Sequence, residues 1–327
     1  MTKSEKRVAD HILKKRKKLT ERISAVFNLE LDQAEELINT TSLQAVRASV
    51  KFKSDLDYKK ELEKLGVKLN KIDWMPIPAW WVESGTEALN KSEFIQSGEL
   101  YVQNAASFLP VLELDLNPDD KLLDLCAAPG GKSDLALSLG LKPENLYLND
   151  NSRTRFFKMK SRFDVLSLND INYSIYNLKN ITRHKKNYLQ FFDKIMLDAP
   201  CSNEASIKLN RTKSLKHWSE AHIKRLRDIQ RAGILAATDF LKPGGTLVYS
   251  TCTFAPEENE AVIQYLLKKK PEMELVDIKF SEFKEATPGV TSWNQKPLDA
   301  HGPITRTLRI KPSQKMHGFF VAKLKKK

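Results

Sequence analysis

Three cysteines occur among the 327 residues, and two of them, Cys201 and Cys252, sit where thiol chemistry is conceivable. Asp198-Ala199-Pro200-Cys201-Ser202 and Tyr249-Ser250-Thr251-Cys252-Thr253 each close an apolar run (DKIMLDAP, TLVYSTC) that reads as a buried strand. A free cysteine is most often a small buried filler, and for either one alone that reading prevails. Two cysteines at neighbouring strand ends suggest a different use. Cytosine carbon 5 is a poor nucleophile. A thiolate that adds to carbon 6 turns the ring into an enamine, whose carbon 5 accepts a methyl group from a sulfonium donor. Loss of the carbon 5 proton then expels the thiolate, so that one hard step becomes two easier ones. The attacking thiol must be accessible and readily ionised, which basic surroundings and a helix terminus favour. Asp198 is placed to stabilise the enamine near the ring nitrogen, and the second cysteine to assist release.

A methyl donor needs its own site. Asp124-Leu125-Cys126-Ala127-Ala128-Pro129-Gly130-Gly131-Lys132 reads as a strand, a loop of small residues and a helix start. Small side chains let a ligand approach the backbone, and the helix start offers free N–H groups. Asp124 would accept from an amine or hydroxyl of that ligand. Gly131-Lys132-Ser133 matches the end of a phosphate-binding loop, but that motif needs glycine five residues before Gly131, where Cys126 stands. A purely structural turn leaves Lys132 without a role. Asn149-Asp150 closes the next apolar run, and an acidic residue there suits the hydroxyls of a ribose. Acidic strand ends are common, so this signal gains weight only beside the first loop. Cys126 is assigned to that loop rather than to catalysis.

These residues need a frame. Residues 1–40 read as N-terminal helices, with Asp32 capping DQAEELI and Glu35 completing a capping box. Residues 41–115 read as a small α+β module: strands at 44–51 and 67–74, a helix at 58–65, and an irregular connection at Trp80-Trp81. From 116 to 327 the runs KLLDLC, NLYLND, DKIMLDAP and TLVYSTC alternate with helices, including 219–241 and 256–270. Residues 281–312 look loop-rich, and HGFFVAKL forms a final strand. This alternation implies an α/β fold with a doubly wound sheet, whose ligands gather at the carboxyl ends of the strands.

With 54 Lys and Arg against 41 Asp and Glu, the formal net charge is +13. Basic runs lie at 14–18 (Lys14, Lys15, Arg16, Lys17, Lys18), 179–186 and 208–216. Any one charge run is usually a solvated face, but three in a chain of pI near 9.4 favour a polyanionic partner. Three widely spaced cysteines supply neither a disulfide framework nor a zinc site, and no metal is expected. No apolar run approaches a membrane span. The basic N-terminus contains Glu5 and Asp10 and lacks the pattern of a transit peptide, so a cytoplasmic location is expected.

DLCAAPGGK, LDAPCS with Glu204, WSEAHIKRLRDIQ and YSTCTFAPEENE together resemble the NOL/NOP/Sun family of RNA cytosine-5 methyltransferases, which includes the bacterial RsmB/RsmF-type ribosomal RNA enzymes. GELYVQNAASFLP and HGFFVAKL also look like family segments. The resemblance runs from about residue 20 to the end. It implies a class I methyltransferase (Rossmann-like) fold, a seven-stranded sheet with an antiparallel last hairpin, preceded by an RNA-recognition-like module. It implies S-adenosyl-L-methionine as cofactor, contacted by Cys126, Ala127, Ala128, Pro129, Gly130, Gly131 and Lys132, then by Asp150, a residue near Asn177, and Asp198. It implies Cys252 as nucleophile and Cys201 as promoter of release; DNA enzymes use the latter position and lack the former, so RNA is the implied partner. Ribosomal RNA is the expected substrate, with transfer RNA the alternative, for a protein expected to be a monomer. The family pattern PCSGEG is altered here, with Asn203 and Ala205 at the glycine positions, which implies a less pliant loop. That departure motivates a rival reading, a non-catalytic RNA-binding assembly factor. No segment at either end reads as a further RNA-binding domain.

Overall fold

Residues 3–327 are described by a computed structural model; Met1 and Thr2 of the expected N-terminal helices lie outside the described residues. Strands β1 (Gln44–Ala48), β2 (Lys68–Lys71), β3 (Ala79–Ser84) and β4 (Leu100–Gln103) form an antiparallel sheet in the order β2-β3-β1-β4. The two tryptophans expected in a connection lie within β3. Trp81 pairs with Ala45 of β1 and is buried in the core with Ala79 and Phe108; the irregular stretch with Pro76 and Pro78 ends just before β3. The helix Tyr58–Lys64 is capped by Asp57, which accepts from the Lys60 N–H, and ends before Gly66 at φ +79°.

Two helices, Lys3–Phe27 and Leu31–Asn39, precede this sheet. The second is capped at Glu30, whose N–H donates to the Gln33 side chain at 3.1 Å, and not at Asp32. Glu35 is drawn away from capping by Arg16, whose Nε reaches its carboxylate at 3.2 Å.

The second sheet holds β5 (Leu122–Asp124), β6 (Leu146–Asn149), β7 (Asn172–Ser174), β8 (Phe192–Asp198), β9 (Leu241–Thr251), β10 (Met273–Leu275), β11 (Ala286–Pro288), β14 (Leu308–Ile310) and β15 (Phe319–Lys326); β12 (Ser292–Trp293) and β13 (Lys296–Pro297) form a separate two-stranded ladder. Its order is β11-β14-β15-β9-β8-β5-β6-β7, with β10 also paired to β15. Pairings among β5 to β9 are parallel, and those of β15 and β14 antiparallel. Seven of these strands follow the implied arrangement. The sheet is larger by β10 and by β11, which extends the edge; β11 and β14 both lie in the stretch 281–312 expected to be loop-rich. The helix expected from Pro256 starts at Glu260, because the chain first turns through residues 255–259.

From β5 the chain winds outward through β6 and β7, then returns to lay β8 and β9 on the other side. The reversal leaves a crevice at the carboxyl ends of β5 and β8, where doubly wound sheets bind ligands. Ala45, Ala79 and Trp81 of the small sheet and Met75 of its β2–β3 connection share one core with Phe108, Leu109, Leu122, Met196 and Val248, so the two sheets pack together across the expected 115/116 division.

The N-terminal helices lean on the opposite flank. Leu19, Ile23 and Phe27 are buried against Leu209, Leu215, Trp218 and Phe254, each buried large side chain contributing about 1.5–3 kcal/mol. Arg22 holds Glu257 through bonds of 2.7 and 3.1 Å. Lys15 donates to the Lys216 carbonyl at 3.0 Å, Lys18 pairs with Glu220 at 2.7 Å, and Lys208 donates to the Ile38 carbonyl at 3.1 Å. Two of the three basic runs are therefore partly engaged inside the fold. No helix among the described residues is long and apolar enough to cross a membrane.

Candidate active site

The loop after β5 is held from three sides. Gly130 takes φ +102°, a conformation that side chains resist, and starts the helix Gly131–Ser138. A Cβ on Gly131 would meet the Tyr101 ring of β4 at 2.6 Å. That ring lies beneath the guanidinium groups of Arg47 (5.0 Å) and Arg162 (4.1 Å). Arg47, fully buried on β1, donates to the carbonyls of Gly131 (2.5 Å) and Ala48 (2.9 Å), and Asp134 takes both Arg162 (2.8 Å) and Ser49 (2.8 Å). The small sheet thus fixes the helix start in place.

From β6, the buried Asn149 side chain donates to the carbonyls of Leu125 and Tyr176, both at 3.0 Å, and accepts from the Tyr176 N–H at 3.0 Å. Asp150, also buried, accepts from the N–H groups of Ala128 (3.2 Å) and Ser152 (2.9 Å). Asp124 accepts from Ser133 Oγ at 2.7 Å and the Cys126 N–H at 3.2 Å. Burial pushes the Asp124 carboxyl up to about 7, against the opposing pull of Ser133 and Lys132.

That shift has a measurable sign. Between about pH 4 and 7 the folded state holds a proton on Asp124 that the unfolded state releases, so this group makes stability fall as pH rises. Relative to Asp124→Asn, the wild type should lose about 3 kcal/mol between pH 5 and 8, as read from urea unfolding. Parallel pH profiles for the two proteins would show that Asp124 is not so shifted.

At the end of β8, Asp198 accepts from Lys132 Nζ at 2.6 Å and Ser250 Oγ at 2.8 Å. Burial alone would lower the pKa of the Lys132 ammonium, but the charge and hydrogen bond of Asp198, with the Asp124 charge, together outweigh it and leave that pKa raised. Beyond lie the two thiols, Cys201 Sγ and Cys252 Sγ, 3.1 Å apart. The hydrogen bond to Cys252 and burial together push the Cys201 thiol well above the usual range, so Cys201 keeps its proton. Behind them, the buried Glu204 accepts from Trp218 Nε1 (2.8 Å), Thr253 Oγ1 (3.0 Å) and the Phe254 N–H (3.1 Å), and Glu258 accepts from the Ser202 N–H (3.0 Å) and Gln230 (2.8 Å). Burial raises Glu258 to about 7.

Two cavities meet here. One of 390 Å³ runs from Asn149, Asp150 and Tyr176 past Leu178 and Ile229 to Asp198, Cys201 and Cys252. The other, of 250 Å³, lies between Tyr101, Asp124 and the loop Cys126–Lys132. Cys126 and Asp198 border both.

The profile of the family described as 16S rRNA methyltransferase RsmB/F matches residues 111–325. The chain belongs to this family. The 25S rRNA (cytosine-C(5))-methyltransferase nop2 of Schizosaccharomyces pombe is 32% identical over 273 residues, 80% of this chain and 42% of that protein. This chain thus spans less than half the length of that relative. The tRNA (cytosine(49)-C(5))-methyltransferase of Pyrococcus abyssi is 30% identical over 322 residues, 95% of this chain and 96% of that one. Among solved structures, a methyltransferase homologue from Pyrococcus horikoshii superposes with a TM-score of 0.71 at 25% identity, covering 95% of this chain and 99% of its own. The fold is that of the class I methyltransferases.

Gly130 lines neither cavity and faces Met159 and Phe163; of the other residues singled out from sequence, the family fold brings residues 126–129, Gly131, Lys132, Asp150, Asp198, Cys201 and Cys252 to the walls of these two cavities. Asn177 is not among them. It is exposed, its side chain accepting from the Lys179 N–H at 2.9 Å, and its neighbours Tyr176 and Leu178 line the wall instead. Tyr176, Leu178 and Ile229 carry no chemical signature in the sequence and read there as ordinary core. Glu258 was visible only as part of the segment after Cys252, and its grip on Ser202 needed the fold to bring residues 56 apart together.

Proposed function

We propose that this protein is an S-adenosylmethionine-dependent RNA cytosine-5 methyltransferase that acts in the cytoplasm on ribosomal RNA. The observation that carries the reading is the pair of thiols 3.1 Å apart at one end of a cavity whose other end is the Asp150 carboxylate. The lining fits the cofactor: apolar Leu178 and Ile229 suit an adenine ring, Asp150 suits ribose hydroxyls, and Asp124 with the helix start at Gly131 suits an amino acid group. When bound, S-adenosylmethionine supplies an electrophilic methyl group.

The chain's own residues divide the remaining work. Cys201, held protonated, stands 3.1 Å from Cys252 Sγ, placed to give its proton to the departing sulfur. Cys252 adds to cytosine carbon 6. Asp198 and Lys132, paired between the two cavities, offer an acceptor and a donor to the polarised ring. After carbon 5 is methylated, its proton passes to solvent, the electron pair re-forms the carbon 5–carbon 6 double bond, and Cys252 Sγ leaves carbon 6 with its bonding pair and takes the proton of Cys201. The assembly-factor reading loses its motive, because Asn203 adopts φ +56° as a glycine would, and Ala205 is buried against Gly318 without opening the loop.

The P. abyssi enzyme is matched along nearly its whole length, which supports transfer RNA as the second reading. Bisulfite sequencing of RNA from cells with and without the gene separates the two. A protected ribosomal cytosine that is lost with the gene supports the first, and a transfer RNA position the second. If no cytosine in either RNA changes, the proposal fails.

A further inference from the structure

We propose that Asn203 is a positioning residue for the nucleophile, its side-chain amide holding Cys252 Sγ in both protonation states. The inference rests on the reading of Cys252 as the attacking thiol.

A glycine at this turn would leave bare backbone beside the sulfur. Asn203 reaches the same left-handed conformation (φ +56°, ψ +37°), which asparagine tolerates better than most residues, and adds a carboxamide to the cavity wall. One terminal atom of that amide faces two partners, Cys252 Sγ at 3.1 Å and Ser206 Oγ at 2.8 Å. Ser206 Oγ is in turn 3.5 Å from His317 Nε2, and His317 Nδ1 is 3.1 Å from the Gly318 carbonyl. A proton on Nδ1 satisfies that carbonyl and leaves Nε2 as an acceptor.

The two ends of a carboxamide are nearly isosteric, and half a turn of the side chain exchanges them. With the oxygen forward, it accepts from the Cys252 thiol and the Ser206 hydroxyl. With the nitrogen forward, its two hydrogens serve the same two positions. One donates to the Cys252 thiolate and one to Ser206 Oγ, whose own hydrogen turns to His317 Nε2. In either state Cys252 Sγ and Ser206 Oγ both keep their partner, and the other end of the amide faces solvent, Asn203 being exposed. The other groups facing this sulfur are Cys201, backed by Glu258, and the Asp198–Lys132 pair; Glu204 lies beneath Thr253, and Lys208 stands behind His317. Besides the Cys201 thiol, which can turn its hydrogen either way, Asn203 is the group facing this sulfur that exchanges acceptor for donor without moving a charge.

The test is alkylation of the full-length protein by iodoacetamide across pH, followed at each cysteine by peptide mass spectrometry, with no RNA present. Asn203→Gly keeps the backbone turn and should slow alkylation of Cys252 about ten-fold at neutral pH, the scale of one hydrogen bond to a charged group. Cys126 should react as in the wild type. Asn203→Asp keeps the size but can only accept, and should slow Cys252 at least as much, so it decides the matter alone if the glycine variant does not fold. Wild-type or faster alkylation of Cys252 in a folded variant overturns the proposal. Because the readout needs no RNA, it fails or succeeds separately from the methylation assay with Cys252→Ala.

Discussion

Cys252→Ala should lower methyl transfer from labelled S-adenosylmethionine into RNA by roughly 10⁴-fold or more, the scale seen when a covalent nucleophile is removed. Cys201→Ala should instead accumulate a protein–RNA complex that survives denaturation. The difference follows from the surroundings of two thiols 3.1 Å apart. Cys201 is kept protonated, first by its hydrogen bond to Cys252 and then by burial, with the Glu258 charge behind it. Cys252 opens to the cavity, and the Lys132 ammonium lies close enough to feel its charge. A thiol that holds its proton is the poorer attacker and the better partner for departure. Removing it leaves addition and methylation intact and stalls the bond-breaking step. A gel-shifted, denaturant-resistant band in Cys201→Ala, absent from the double variant, would bear this out. Turnover of Cys252→Ala above about 1% of wild type would rule out its role as obligatory nucleophile.

The ends of β5, β6, β8 and β9 were legible in the sequence because buried parallel strands read as unbroken apolar runs that stop at a functional turn. That made Asp124, Asp150, Asp198, Cys201 and Cys252 visible one by one. What the runs do not encode is how they are joined across the sheet. The clasp of Asn149 on Leu125 and Tyr176 depends on β6 lying beside β5 and β7. The brace of Arg47 on Gly131 joins residues 84 apart and belongs to the contact between sheets, for which the sequence has no local signal. Asn177 shows the same limit: the direction of its side chain is set by a local turn with Lys179, so that its neighbours Tyr176 and Leu178 face the cavity. Charge was also ambiguous. Lys15, Lys18 and Lys208 looked like an anion-binding surface, yet they bind carbonyls and a carboxylate of their own chain. A run of lysines fixes only composition, and packing decides which of them face solvent.

Asp198→Asn should cost about 10²- to 10⁴-fold in kcat with a smaller change in KM for RNA, the range typical for removing a group that acts on the reacting ring. The carboxylate has two engaged oxygens, one on Lys132 at 2.6 Å and one on Ser250 at 2.8 Å, and it borders both cavities. An amide there preserves shape and one acceptor, so the Ser250 or the Lys132 contact survives, but not the charge. Lys132 then keeps its ammonium, with its side chain only 15% exposed, without a neutralising partner. A partly buried cation left unpaired is costly, and its field now acts on the ring and on Cys252 with nothing to balance it. The substitution therefore damages the step in which the ring is polarised more than the binding of a long polyanion, whose affinity comes from many phosphate contacts. Lys132→Met in the same background separates the two contributions: if the orphaned ammonium is the larger fault, the double variant recovers part of the kcat lost in Asp198→Asn. A single Asp198→Asn variant within ten-fold of wild type would show that the carboxylate serves the loop's architecture and not the chemistry.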